Sequence, residues 1–296
     1  MGGFCTRELH REGEGVLVAC LGDVMLDVIV ETSGALVEDD DTPARITFAA
    51  GGQAANVATW VVALGGRARV FGPRADTGSG HLVEQALTGL GVEVWGTPTG
   101  RTGSVVSLVT GGTRSMASDP GDLSWLDDVR SGPWLDGADW LFVSGYALLR
   151  TPDPQRVVET AAVARAHGTR IAVDLSSAAM VAEFGADRFS DLCRALRPAV
   201  VFATDTEWAT SAGLFGAGQF AVLVLKHGPR GASFVLGDDT DERAPDAGPV
   251  VDVTGAGDAL AAGYLVGGPD LAMGAAARCV AARGAQPEPE PEDAEA

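Results

Sequence analysis

Positive charge is scarce in this chain. Its 296 residues carry 21 Lys plus Arg against 40 Asp plus Glu, a formal net charge of -19 at pH 7. Such a field repels phosphate backbones and anionic lipid, so neither nucleic acid nor a membrane is expected as a partner. A phosphorylated ligand then depends on local backbone dipoles, a few basic side chains or a metal ion. Cysteine is scarce too. Cys5, Cys20, Cys193 and Cys279 show no CxxC or Cys/His spacing, which argues against a zinc centre or a disulfide framework and for a cytoplasmic setting. No apolar run reaches the roughly eighteen residues of a membrane span, and MGGFCTRELHREGEG has no hydrophobic signal core. Internal repeats and a proline-rich linker are also missing. One large domain is therefore expected over residues 15–285, between a polar stretch, 1–14, and an acidic Pro/Glu tail, 286–296, both expected to be disordered.

What is present is an alternation of β-rich and alanine-rich helical runs. VLVACLG (16–22), RARVFG (67–72), DWLFVSG (139–145), TRIAVDL (169–175), AVVFA (199–203) and FAVLVLK (220–226) are strand candidates. Most are continuously apolar, as strands buried on both faces should be. Helices are expected at 54–65, 77–90, 153–167, 186–196, 205–212, 256–266 and 270–283. The alternation predicts an α/β fold, a doubly wound, mainly parallel sheet with helices on both faces. Two regions depart from it. MLDVIVE (25–31) with ARITF (44–48), and SVVSLVT (104–110) with TRSMAS (113–118) across Gly111-Gly112, read as antiparallel pairs forming a small β-lid.

Two glycine stretches carry the chemistry. VVDVTGAGDALAAGYLVG (250–267) has a strand-like lead at Pro249 to Val251, a turn, and a helix. In one reading the glycines make a tight turn and Asp258 complements the helix dipole. In the other, the NH groups of Gly255, Ala256 and Gly257 form a hole for a transferring phosphoryl group, while Asp258 accepts a proton from an alcohol. The second stretch, AAGGQAANVATWVVALGG (49–66), is not GxGxxG and follows a lid strand, so a dinucleotide fingerprint fits poorly. Gly51 and Gly52 leave the backbone open to a ligand, and Asn56 offers a donor and an acceptor to hydroxyl groups. A plain glycine turn before a helix is the other reading.

Together the two stretches resemble the ribokinase-like, phosphofructokinase-B (PfkB) type carbohydrate kinases. The family's D-x-T-G-A-G-D signature is present as Asp252-Val253-Thr254-Gly255-Ala256-Gly257-Asp258, and its N-terminal signature as Gly51-Gly52-Gln53-Ala54-Ala55-Asn56. The resemblance implies a ribokinase-like fold and phosphoryl transfer from Mg-ATP to a sugar hydroxyl, with Asp258 as base and Gly255 to Asp258 as anion hole. It also implies that Asp27, closing Gly22-Asp23-Val24-Met25-Leu26-Asp27, binds the substrate's hydroxyls beside Gly51, Gly52 and Asn56. Lys226-His227-Gly228-Pro229-Arg230-Gly231 is similar to the family's nucleotide-side turn, which assigns Lys226, Gly228 and Gly231 to ATP. Glu207 ends the family's N-x-x-E motif and is implied to order magnesium through water; Asp252 is implied as a contact for potassium. Three positions depart from the pattern: Thr204 stands where that motif has Asn, Ala75 replaces a glycine, and Glu288 follows where ribokinases have a serine.

The acceptor is expected to be a neutral sugar such as ribose or fructose, because only Arg101 and Arg114 near the lid are candidates for holding a second phosphate. A nucleoside kinase of the same fold is the second enzyme reading, and a non-catalytic, kinase-like binding protein is the reading from another class. Open edges on the lid predict a homodimer through it.

Overall fold

The computed structural model describes residues 15–110, 113–122, 126, 129–130, 133–211 and 220–287. Residues 1–14 and 288–296, including Glu288, the Gly111-Gly112 turn and Ala212 at the end of an expected helix lie outside the described residues. The strands are β1 (Leu17–Leu21), β2 (Met25–Thr32), β3 (Ala44–Gly51), β4 (Arg67–Phe71), β5 (Glu93–Trp95), β6 (Gly103–Thr110), β7 (Thr113–Asp119), β8 (Trp140–Ser144), β9 (Arg170–Asp174), β10 (Val200–Thr204), β11 (Val222–Lys226), β12 (Ala232–Leu236) and β13 (Asp239–Arg243). The helices are α1 (Gln53–Ala63), α2 (Gly78–Gly89), α3 (Gly145–Leu149), α4 (Gln155–Ala166), α5 (Ala178–Phe184), α6 (Ala186–Leu196), α7 (Asp205–Ser211), α8 (Ala256–Gly267) and α9 (Pro269–Val280). None is long and apolar enough to cross a membrane.

The main sheet has the order β13-β12-β11-β10-β9-β8-β1-β4-β5. From β11 to β5 every neighbouring pair is parallel, and β12 and β13 add an antiparallel edge. Burial on both faces is what makes the central strands continuously apolar. In β1, Val18 and Cys20 pack with α1, α8 and α9, whereas Leu17, Ala19 and Leu21 pack with α3, α4 and α6 on the other side. Trp140 and Phe142 of β8, and Val200 and Phe202 of β10, join the first cluster; their alternate neighbours join the second. The period of two along each strand thus builds two cores.

All six expected core strands are present. The sequence reading missed β5, β12 and β13, and also α3 and α5. The missed hairpin has the short turn Gly237-Asp238, with Gly237 at φ 59, and its second strand, Asp-Thr-Asp-Glu-Arg, holds no apolar residue to signal it. The expected strand-like lead at Pro249 to Val251 is not a strand. Val250 and Val251 are exposed, and Val251 N is fixed to Val280 O at 2.7 Å, at the end of α9. The lid is a second sheet, β3-β2-β6-β7. Its outer pairs are antiparallel as expected, and the two hairpins join through β2 and β6, which run parallel.

Reading β1 as the centre, the chain winds to β4 and β5 on one side and to β8 through β11 on the other. That reversal leaves a crevice at the carboxyl ends of β1 and β8, the place where open α/β sheets bind ligands. The C-terminal segment closes one side of it. Buried Trp60 in α1 donates from Nε1 to Ala285 O at 2.8 Å, and Ala285 in turn lies so close to Gly255 that a Cβ there would meet its Cα at 2.6 Å. Trp60→Phe keeps an aromatic side chain but removes the indole NH and leaves the Ala285 carbonyl without its donor, at a cost of about 1–3 kcal/mol for the lost bond. Thermal denaturation should show a lowered Tm; an unchanged Tm would mean that the bond does not hold the segment.

Candidate active site

The parallel strands deliver polar residues to one edge. Asp23 follows β1, and Ser144, Asp174, Thr204 and Lys226 end β8, β9, β10 and β11. Gln53, the first residue of α1, ties three of these ends together. Its backbone N donates to Asp23 Oδ2 at 3.0 Å, and its Oε1 accepts from Ser144 Oγ and Ser176 Oγ, each at 2.6 Å. Ser176, held at φ 68, donates its N to Asp174 Oδ1 at 2.9 Å. Asp174 is fully buried, and its other oxygen receives Lys226 Nζ at 2.6 Å.

Gly255 caps α8 at φ 77, a left-handed conformation suited to glycine, and Asp258 sits in the helix's first turn. Amides of a first turn have no intrahelical acceptor. The expected hole is altered in one respect: Ala256 N is bonded to Val253 O at 3.3 Å. Gly257 faces space bounded by Lys226, and a Cβ there would lie 3.5 Å from Nζ. The ammonium therefore flanks the turn from one side. Burial opposes its charge most strongly, yet Asp174, Glu207 and Asp258 together raise its pKa, so it remains a cation.

Asp258 accepts from Asn56 Nδ2 at 2.9 Å, and this bond joins the two glycine stretches across 202 residues of chain. Burial pushes the Asp258 carboxyl up to about 7; the Asn56 bond and Lys226 pull it down, while Asp174 and Asp23 push it further up. Asn56 is buried, and its Oδ1 has no hydrogen-bond partner. One side chain thus steadies the acid and keeps a free acceptor beside it. A proton acceptor poised near neutral pH, next to a helix N-terminus and a fixed cation, is suited to drawing a proton from an alcohol that attacks an anion.

Asp27 lies on the site-facing side of the lid, half-buried, with its carboxyl pushed up to about 6 by burial and by Asp23, against the pull of Arg114. A side chain on either glycine of the pair would collide with the protein itself. A Cβ on Gly51 would come within 2.3 Å of Asp27 Oδ2, and one on Gly52, at φ 93, within 2.4 Å of the Asp23 carbonyl. Two ion pairs tie the lid to the core. Arg114 Nε donates to Ser107 Oγ at 2.7 Å, and its guanidinium reaches Thr254 and, at 3.4 Å, Asp252. Arg283 meets Glu31 at 2.6 Å.

Other expected residues sit nearby with structural duties. Glu207 and Thr204 form a reciprocal cap on α7: Thr204 N donates to Glu207 Oε2 at 2.7 Å, and Glu207 N to Thr204 Oγ1 at 3.2 Å. Burial raises the Glu207 carboxyl, with Lys226 opposing. Asp252 accepts from Thr254 N, Thr254 Oγ1 and Gly284 N, besides Arg114. In the turn after β11, Gly231 is packed so tightly that a Cβ would meet Arg243 O at 1.9 Å, whereas Gly228 opens to free space. His227 pins this turn, its ring nitrogens 2.7 Å from Asp205 Oδ1 and from Ser233 Oγ. Among the described residues, no group of three or more His, Cys, Asp or Glu is placed to hold a metal ion.

Reading for roles missed Asp23, Ser144, Asp174, Ser176 and Gln53. For Asp23, Ser144, Asp174 and Ser176 the signal was position: polar residues at or just past the end of a buried apolar strand, at the carboxyl edge of a parallel sheet.

The chain matches the family described as pfkB family carbohydrate kinase over residues 16–282. It is 26% identical over 260 residues to a fructokinase of Vibrio alginolyticus, covering 82% of this chain and 81% of that protein. Its fold superposes on an adenosine kinase from Sinorhizobium meliloti with a TM-score of 0.76 at 24% identity, covering 93% of this chain and 96% of that one. An uncharacterized sugar kinase from Pyrococcus horikoshii, solved in complex with ATP, gives a TM-score of 0.77 at 18% identity, covering 92% and 95%.

The raised Asp258 carboxyl has a measurable sign. Its pKa rises from 3.8 unfolded to about 7 folded, so the folded state holds a proton that the unfolded chain releases. Its effect on stability is full below the unfolded value and is lost as pH rises through about 7. Asp258→Asn should therefore raise Tm at about pH 8, with roughly half that gain at about pH 5.5. Equal shifts at the two pH values would contradict the assignment.

Proposed function

We propose, on the premise that this chain belongs to the pfkB family of carbohydrate kinases, phosphotransferases with an alcohol group as acceptor, that it moves the γ-phosphoryl group of ATP to a hydroxyl of a small neutral sugar. The observation that carries the reading is the placement of Asp258. Its carboxylate takes Asn56 on one side, while its own helix turn and Lys226 lie on the other. In this reading the acceptor hydroxyl lies against Asp258 and Asn56 Oδ1, Asp27 takes further hydroxyl hydrogens, and Asp258 removes the proton as the oxygen attacks. The amides around Gly255 to Asp258 and the Lys226 ammonium receive the charge of the transferring group. Positioning and charge stabilisation suffice, because the transition state of phosphoryl transfer is loose.

Magnesium would neutralise phosphate charge when bound with the nucleotide. The residues fit an ion that arrives on phosphate oxygens with Glu207 reaching it through water, since one Glu207 oxygen already serves the α7 cap and no clamp of protein carboxylates is present among the described residues. They do not fit potassium at Asp252, whose two oxygens are taken by Thr254, Gly284 and Arg114. A neutral acceptor is favoured over a phosphorylated one because Arg101 is paired with Asp119 and Arg114 with Asp252, leaving Asp23, Asp27 and Asp258 to dominate that side.

The lid's outer face supports a homodimer. Register places Phe48, Val28 and Val106 in one cross-strand row and Ile46, Val30 and Leu108 in the next, all pointing away from Asp27. Phe48 and Ile46 are more than half exposed. A second copy laid on this face would bury both rows.

ADP release from Mg-ATP, measured across pentoses, hexoses, sugar acids and nucleosides, should rise with a neutral sugar. Asp258→Asn should lower turnover by about two to four powers of ten. kcat/KM should fall on the acid side of about pH 7, because the base must be ionised. Stimulation by nucleosides alone would favour a nucleoside kinase, and none by any acceptor a binding protein. In solution the chain should have the mass of a dimer at micromolar concentration, and Phe48→Glu that of a monomer; a monomeric wild type would refute the dimer.

A further inference from the structure

An open surface depression, here called the cavity, of about 560 Å³ lies at the opposite end of the main sheet from Asp258. Its walls are the amino ends of β9, β10 and β11 and the segments that lead into them after α4 and α6. Those strands finish at Asp174, Thr204 and Lys226, so the cavity lies about 15 Å from the catalytic edge. Gly168 on its rim has φ 87, and a Cβ there would meet nothing within 4 Å.

Three arginines, Arg165, Arg170 and Arg197, line this cavity, in a chain with 40 acidic residues and 21 basic ones. Most described arginines lie against carboxylates, as Arg69, Arg74, Arg101, Arg114, Arg130, Arg230, Arg243 and Arg283 do. Arg165 instead donates to the Leu196 carbonyl at the end of α6, using one of its five donors. It is close enough to Arg197 that their charges oppose each other: burial first, and then Arg197, lowers the Arg165 pKa. Arg197 occupies the C-cap of α6 at φ 50, a left-handed position where glycine is the ordinary choice. The carbonyl ends of α4 and α6 favour cations, but a helix end carries only about half a charge. The full charges of Arg165 and Arg197 beside one open depression exceed that. Asp139, on the same edge, acts on Arg170 and receives Leu17 N at 2.9 Å. Arg170 itself is stacked on Trp140 at 3.7 Å.

Much of the remaining wall is apolar, with Thr169 and Arg170 as its polar members. Ile171, Pro198 and Ala199 face the cavity with Phe220, whose ring is held edge-on by Trp208 at 5.9 Å. A bare inorganic anion would leave this surface uncovered. We infer that the cavity binds a small phosphate ester with a planar apolar body, its phosphate between Arg165 and Arg197 and its body against Phe220 and Pro198. A nucleoside monophosphate has both parts and fits the volume.

The test is a titration of the full-length protein with AMP and, separately, with inorganic phosphate, following two resonances by NMR. The Trp208 indole NH reports on the cavity through Phe220, and the Gly257 amide reports on the catalytic edge. Wild type should show a saturable Trp208 shift with AMP, and a weaker one with phosphate. Arg197→Gly should weaken it by about tenfold or more, the weight of a charge-assisted phosphate contact. Glycine adopts the left-handed conformation without strain, so this variant should match or exceed the wild-type Tm and keep wild-type turnover. Any Gly257 response should persist in it. No saturable Trp208 shift with AMP, an unchanged affinity in Arg197→Gly, or one constant governing Trp208 and Gly257 in both proteins would overturn the site. Phosphate binding as tightly as AMP would overturn the assignment of an ester with an apolar body.

Discussion

The site depends on the buried ion pair between Asp174 and Lys226. The carboxylate is fully buried and the lysine nearly so, 2.6 Å apart at the ends of β9 and β11. Neither charge is tolerable there alone, since an unpaired buried ion costs several kcal/mol. Folding the sheet in register therefore sets a cation beside Gly257 before any ligand arrives. From Asp174 the same polar chain runs through Ser176 and Gln53 to Ser144 and Asp23, so four strand ends and the start of α1 are held in one network.

Charge around that network is uneven, and the unevenness is useful. Asp23, Asp27, Asp174, Glu207 and Asp258 gather about one lysine and one lid arginine. With too few cations to ionise every acid fully, Asp27 and Asp258 are pushed up to about 6 and about 7. Desolvation is the larger cause in both, and neighbouring carboxylates add to it. Asp27 and Asp258 are thus the acids of this group pushed nearest to neutral pH, while Asp174 is paired with the lysine.

Much of this was legible in the sequence, for identifiable reasons. Continuous apolar runs such as VLVACLG marked strands buried on two faces, and Gly255 and Gly257 marked a helix start. Polar or very short strands carried no such pattern, so β5 and β13 were invisible. Within the site, motif residues were found by spacing, but their partners were not. Nothing local indicates that Asn56 reaches Asp258, or that Gly51 exists to let Asp27 fold against the backbone. Those contacts follow from how α1 packs on α8 and how the lid strands lie against the glycine pair, which only the assembled fold supplies. The valine lead before the glycine turn misled for the converse reason: a β-rich tripeptide was recruited to the end of α9 instead of to a sheet.

Lys226 is the only lysine in the chain. Its twenty arginine counterparts resist acylation, so amine-directed chemistry has one side-chain target, and that target is the ammonium beside Gly257. Apart from the α-amino group, acetylation or an amine-reactive label would act on Lys226 or not at all, with no background of side-chain adducts. Shielding by Asp174 makes the rate of such labelling a direct clock for how often β9 and β11 part at their carboxyl ends.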